Sequence, residues 1–211
     1  MAECDVIIES ENEISATLSL PSGSKEKYPA IIMIHGSGPV DRDENAKKLK
    51  INTFKEMTAL ANEEGFATIR YDKRGIGKSK GDYYKAGFFD FIKDAVAVVH
   101  FVKSHRCIDE NRIFLLGHSE GCLVAPVVHD HVPVQGMILL SPSAEPLGDT
   151  TAWQREEMKR DMQTIGGFQG WLLRLMKADQ KLDKMNEKLT KRIKDTDAAV
   201  IRYNGQKINA K

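Results

Sequence analysis

The stretch "RIFLLGHSEGCLVAP", Arg112–Pro126, decides how this chain is read. Ile113–Leu116 is a short, continuous apolar run, as expected of a strand buried on both faces. It leads into Gly117-His118-Ser119-Glu120-Gly121, and a helix is predicted to follow. A G-x-S-x-G pattern between a buried strand and a helix lifts a serine hydroxyl onto a sharp, strained turn. The glycines keep bulk away where chain segments approach closely, and small Cys122 meets the same need. Ser119 is therefore the candidate nucleophile. The simpler alternative is an ordinary strand-to-helix turn, which the motifs upstream argue against.

Upstream, "DVIIES" and "EISATLSLP" flank a polar "SENE". Ile14, Ala16, Leu18 and Leu20 alternate with Ser15, Thr17 and Ser19. Period two predicts a hairpin with a half-buried second strand. "PAIIMIHG" is another strand buried on both faces. Thr53 and Glu56 fit a capping box for a helix over "NTFKEMTALANEEG", with Gly65 as its stop. "FATIRYD" is a strand. Phe88, Phe91, Ile92, Ala95, Val99 and Val102 share one face of a helix over "FFDFIKDAVAVVHFVKSH". After Ser119 a short helix interrupted by Pro126 is expected, then a last strand, "VQGMILLSP". Strands alternating with helices after an antiparallel start predict an α/β fold, a mostly parallel sheet covered on both faces. The pattern stops near Pro146. Residues 147–211 read as helical, charged and amphipathic, with a break at Gly166-Gly167.

Two more motifs bear on chemistry. His35-Gly36-Ser37-Gly38-Pro39 follows the strand "AIIMI". Acyl transfer develops a negative oxygen, and backbone N–H groups beside the serine stabilise it. One donor is expected from Glu120, just after the nucleophile, and the other from Ser37. His35, Gly36, Gly38, Gly117, His118 and Gly121 are expected to shape the loop and the turn. The second motif, "YDKRGIGKS", imitates a phosphate loop. Such a loop needs glycine five residues before the Gly-Lys-Ser glycine, and Asp72 stands there. Asp72, Arg74, Gly75 and Gly77 read instead as a turn at a strand end, stabilised by an Asp–Arg interaction.

HGSGPVDRD, YDKRGIGKS and GHSEG, in that order and spacing, resemble the α/β-hydrolase superfamily. The nearest group is the bacterial esterases and serine-aminopeptidase-like hydrolases with a helical cap. The resemblance implies a core of six strands over residues 1–146, a cap segment over 147–211, and a fold lacking its last strands. It implies a serine hydrolase acting on carboxylic esters through an acyl-enzyme, or in the alternative an aminopeptidase-like amide hydrolase. A catalytically inactive binding module is a third possibility. No metal or organic cofactor is called for. In the cap, Trp153, Phe168, Trp171, Leu172, Leu175 and Met176 would either wall an acyl site or pack between cap helices.

The resemblance also implies a triad in the order serine, acid, histidine. After Ser119 the histidines are His129 and His131. At 1.5 Å rise per residue, ten helical residues put His129 roughly 15 Å from Ser119, against about 3 Å for a useful hydrogen bond. His35 and His118 are the residual candidates for a substitute base, and His100 and His105 sit on or beyond a surface helix. Asp130, Asp149 and Asp161 follow the serine, but none follows a candidate seventh strand. The expectation is that acid and base come from beyond residue 211, that another chain supplies them, or that the protein is inactive. An unfinished sheet ending on "MILLS" is expected to favour self-association.

Composition narrows the classes further. Net charge is +1 over 211 residues, so no general case exists for nucleic-acid or membrane binding. Charge is unevenly spread: from Thr151 onward there are 14 Lys and Arg against 8 Asp and Glu, leaving 17 against 22 before it. Cys4, Cys107 and Cys122 lack metal-ligand spacing, and the N-terminus lacks a signal-peptide pattern. A reduced, cytoplasmic setting and a small-molecule ester substrate are the expectation.

Overall fold

The computed structural model describes residues 1–23 and 26–210, in two compact units, Met1–Pro142 and Ser143–Lys211. The first is built on a six-stranded sheet in the order β1-β2-β4-β3-β5-β6. Its strands are β1 (Ala2–Ile8), β2 (Ile14–Leu20), β3 (Tyr28–Ile34), β4 (Ala67–Tyr71), β5 (Ile108–His118) and β6 (Gly136–Leu140). β1, β2 and β4 pair antiparallel, whereas β3 with β4, β3 with β5 and β5 with β6 pair parallel.

Parallel neighbours need crossovers, and helices supply them: α1 (Thr53–Glu63), α2 (Phe88–Ser104) and α3 (Gly121–His131). Every residue of β3 is buried, and its side chains divide between two cores by strand alternation. Ala30, Ile32 and Ile34 join Ile92, Val98, Val99, Val102, Val124 and Val128 of α2 and α3. Ile31 and Met33 join Phe54 of α1 and Leu116 of β5. β3 leads through α1 to β4 on one side, and β4 leads through α2 back past β3 to β5. That reversal of direction between β3 and β5 opens a crevice at their carboxyl ends.

Several local expectations are corrected. Thr53 is not a cap: Asn52 takes that position in the left-handed region, with no side-chain cap bond. α3 runs without interruption through Pro126. One missing N–H forfeits one helical bond, and the buried face of Cys122, Val124, Ala125 and Val128 outweighs it. The Asp–Arg interaction in the turn after β4 has different partners. Asp72 binds Arg42 (2.8 Å), and Arg74 binds Asp94 (2.7 Å). Burial alone would raise the Asp72 carboxyl, but the Arg42 bonds and the Lys78 and Arg42 backbone N–H groups outweigh it, and the group stays below the ordinary carboxylate range. Gly77, at φ 54°, lies against this carboxylate, and a Cβ there would sit 2.3 Å from Asp72 Oδ2. A side chain at that position would break the turn.

β6 forms one edge of the sheet, as expected, with Met137, Ile138 and Leu139 each about 40 % exposed. No helix among the described residues is long and apolar enough to cross a membrane.

The second unit holds α4 (Leu147–Thr164), α5 (Gly167–Leu175) and α6 (Ala178–Lys194). It is not helical throughout: β7 (Val200–Tyr203) and β8 (Gln206–Asn209) form an antiparallel hairpin. Asn204 and Gly205, both at positive φ, make its turn, the strongest two-residue hairpin signal a sequence offers. The core-packing reading of the cap aromatics is not met within this unit. Trp153, Phe168, Trp171, Leu175 and Met176 are all at least half exposed, and Phe168 stacks on Trp171.

Candidate active site

Register brings the two motifs together. Ile34 pairs with Gly117 across β3 and β5, so His35-Gly36 and His118-Ser119 leave the sheet side by side. Ser119 is exposed at φ 50°, a left-handed conformation that costs a residue with a Cβ about 1–2 kcal/mol. The turn holds it there. Ser119 N–H donates to Leu140 C=O (3.0 Å), and Cys122 N–H donates to Ser119 C=O (3.0 Å). The flanking glycines are obligatory. A Cβ on Gly117 would lie 2.4 Å from Gly121 O, and one on Gly121 would lie 2.2 Å from Ile34 O. Cys122 fills the remaining space, its thiol against Gly117 C=O and Leu140 C=O, and burial pushes that thiol up.

The loop after β3 passes directly over this turn. A Cβ on Gly36 would lie 3.4 Å from Ser119 Cβ and 3.2 Å from His118 Nδ1. Ser37 is exposed beside it, and Gly38 adopts φ 97°. Glu120 immediately precedes α3, where helix N–H groups lack intrahelical partners. Ser37 and Glu120 thus lie on the two segments that border Ser119.

Two residues of this cluster lay outside the sequence-predicted set. Glu44, in the loop after β3, accepts the Gly36 N–H (2.7 Å) and the His118 Nδ1–H (2.9 Å). Lys73, in the turn after β4, donates to Gly36 C=O (2.6 Å) and pairs with Glu120 Oε2 (3.0 Å). Burial pulls the Lys73 ammonium below the usual lysine range, while the Glu120 and Glu44 carboxylates pull the other way. A lysine within a glycine-rich turn and an acid in a polar loop carry no signal of burial. Their roles arise only when three loops converge.

The histidines are scattered. His35 is fully buried and donates from Nε2 to Tyr71 C=O. Burial pulls it down to about 3, helped by the Lys73 charge and opposed by the Tyr71 carbonyl and Asp72. His118 turns Nδ1 to Glu44. His129, near the far end of α3, accepts Val134 N–H at 3.2 Å, and His131 ends that helix. His100 is exposed on α2, and His105 caps its C-terminus. Among the described residues no hydrogen bond joins Ser119 Oγ to a histidine.

His35 carries a pH prediction. The unfolded chain takes up its proton as pH falls through about 6.5, whereas the folded protein does so only near 3. The unfolded state therefore binds more protons between those values, and stability falls as pH falls. The slope from this group reaches up to about 1.4 kcal/mol per pH unit. Urea midpoints measured from pH 7.5 to 5 should drop more steeply for the wild type than for His35→Gln, which keeps a donor toward Tyr71 C=O. Equal slopes would refute the assignment.

Comparisons with known proteins bear on the family and the fold. A family model described as "Serine aminopeptidase, S33" matches residues 49–206. Esterase EstD of Thermotoga maritima is 28 % identical over 155 residues, covering 74 % of this chain and 35 % of that protein. The chain spans about a third of the length of the curated relatives it matches. Est1E of Butyrivibrio proteoclasticus, solved with ferulic acid, superposes with a TM-score of 0.59 at 20 % identity, covering 97 % of this chain and 67 % of that one. Proline iminopeptidase of Mycobacterium smegmatis gives a TM-score of 0.60 at 16 % identity, covering 85 % and 56 %. These two likenesses establish the fold. With a family model matching residues 49–206, most of the chain, and the sheet, turn and loops described above, the chain belongs to the serine aminopeptidase S33 family of α/β-hydrolases.

Proposed function

We propose that this protein is a serine hydrolase of carboxylic esters, with Ser119 as its nucleophile. The observation that supports this most is Ser119 itself. It is an exposed serine held at φ 50° between two glycines that admit no side chain, beside Gly36 of the loop after β3. A fold carries such strain where a side chain must be presented. Ser119 Oγ attacks the ester carbonyl, and the carbonyl oxygen becomes an oxyanion between the Ser37 and Glu120 N–H groups. The hydroxyl proton passes to a base and from there to the departing alcohol. Water then attacks the acyl-enzyme, gives its proton to the same base, and releases the carboxylic acid.

The acid and base of this scheme come from outside the described residues. His35 is buried on a carbonyl, His118 faces Glu44, and His129 and His131 lie at the far end of α3. Ester cleavage is favoured over aminopeptidase action because a substrate amine needs a free carboxylate. Glu44 and Glu120, the carboxylates next to Ser119, are already engaged by His118 and Lys73. A small-molecule substrate, no nucleic-acid or membrane partner, a cytoplasmic setting and self-association through the β6 edge belong to the same proposal.

A fluorophosphonate probe should form an adduct that peptide mass mapping places on Ser119. p-Nitrophenyl acyl esters should be turned over in preference to aminoacyl p-nitroanilides. Ligand binding with neither adduct nor turnover when a segment carrying the acid and base is supplied would refute the enzyme reading in favour of a binding module. Preferential cleavage of the anilides would refute the ester reading.

A further inference from the structure

Gly36 has both of its backbone polar groups held by buried ions of opposite charge. Glu44 accepts its N–H (2.7 Å), and Lys73 Nζ donates to its C=O (2.6 Å). Each of the two side chains is only 4 % exposed. Neither ion is there for want of an alternative. Glu44 sits at φ 64°, a conformation unfavourable for a residue with a side chain. Lys73 is taken out of water into a setting that includes the Phe91 ring, 5.1 Å from Nζ to the ring centre. Burying two charges is costly unless each is bonded, so the arrangement points to a positional demand at Gly36.

We propose that Lys73 and Glu44 are positioning residues for the oxyanion hole: they fix the Gly36–Ser37 peptide so that the Ser37 N–H is presented to the oxyanion. The peptide group is planar and trans, so Gly36 C=O and Ser37 N–H point in opposite directions. With the carbonyl turned inward to Lys73, the Ser37 N–H turns outward, to the exposed side where Ser119 borders Gly36. Lys73 also pairs with Glu120, whose own N–H is the second donor. One side-chain link therefore ties both donors together before substrate arrives, and donors held in advance need no reorganisation during reaction. This proposal rests on the reading of Ser119 as nucleophile, and its test separates the two.

The test follows the Gly36 carbonyl carbon and Ser37 nitrogen by carbon-detected NMR on the isotope-labelled 211-residue protein from pH 7 to 11. Groups facing Lys73 are His35 of the loop after β3, Glu44, Glu120, Asp94 of α2, Tyr71 and Tyr83. Tyr83 is pushed up to about 12 by burial, with the Glu120 charge adding to it, and Tyr71 is pushed higher. Both tyrosines therefore stay mostly protonated over this window. In the wild type the Gly36–Ser37 signal should shift as Lys73 loses its proton, below the usual lysine range. Lys73→Met should abolish that step and displace the signal at every pH. Glu44→Leu should displace the Gly36 nitrogen, and Glu44→Gln, which can still accept the N–H, should restore it.

Acylation by a fluorophosphonate should slow about a hundredfold in Lys73→Met with reversible inhibitor binding unchanged, the loss expected of one misplaced donor. If Lys73→Met does not fold, Glu120→Gln keeps the side-chain size and should weaken the same titration. A Gly36–Ser37 signal that titrates identically in wild type and in the Lys73 or Glu120 variant overturns the proposal. A wild type that takes up no fluorophosphonate shows only that Ser119 is not activated without its acid and base, and the NMR shifts still decide the clamp.

Discussion

Ser119→Ala and Ser119→Gly should both abolish fluorophosphonate labelling and lower ester turnover by about a thousandfold or more, yet only the glycine variant should gain stability. The two substitutions remove the same hydroxyl. They differ in Cβ, and Ser119 is held at φ 50°. Alanine keeps the clash between Cβ and the following backbone that makes this region unfavourable, whereas glycine removes it. Relief of about 1 kcal/mol corresponds to a rise in melting temperature of about 2–4 °C for a chain of this size. The measurement is thermal unfolding of the three proteins beside their labelling and turnover. Equal melting temperatures for Ser119→Gly and Ser119→Ala would show that the turn stores no strain at this residue. Labelling that survives in Ser119→Ala would place the nucleophile elsewhere.

The second large effect is structural. Gly121→Ala should destabilise the protein by about 3 kcal/mol, enough to unfold many proteins of ordinary stability. The added Cβ would lie 2.2 Å from Ile34 O and 2.9 Å from His35 O. Both are backbone atoms at the end of β3, whose Ile32 and Met33 are fully buried, so neither can move without disturbing the sheet centre. Gly136→Ala is the contrast. Its Cβ would meet only the Phe114 ring, at 3.3 Å, and that ring is half-buried and can turn. A cost of about 1 kcal/mol or less is expected there. Urea denaturation of both variants decides the matter. A Gly121→Ala protein as stable as the wild type would mean that α3 can back away from β3, and that the close approach does not hold the turn.

These two predictions draw on different levels of information. That Ser119 sits on a tight strand-to-helix turn was legible because glycines at positions 117 and 121 flank it after an apolar run. Which atoms the glycines make room for was not. Gly117 yields to Gly121 O and Gly121 yields to Ile34 O, and those pairings depend on how β3, β5 and α3 are brought together. The same division separates the Asp–Arg interaction, expected within the turn after β4, from its actual partners. Arg42 and Asp94 come from a loop and a helix that sequence proximity does not connect to Asp72 and Arg74. The hairpin at Val200–Asn209 differs again. Its Asn204-Gly205 signal is present in the sequence, but the strongly charged helical pattern before it masks the two short strands on either side.

The sequence by itself determined the order of strands and helices as far as β6, the serine turn after β5 and the loop that borders it. Periodicity, glycine placement and short motifs are local properties, and local sterics act on them wherever the chain goes. The tertiary structure decided what holds the loop in place. Lys73 and Glu44 are polar residues in polar stretches, indistinguishable in sequence from solvated neighbours. They become buried ions on Gly36 only because the chain reverses direction between β3 and β5 and three loops meet at the carboxyl ends of those strands. A charge is worth most where water is excluded, and exclusion of water is a property of the assembled fold.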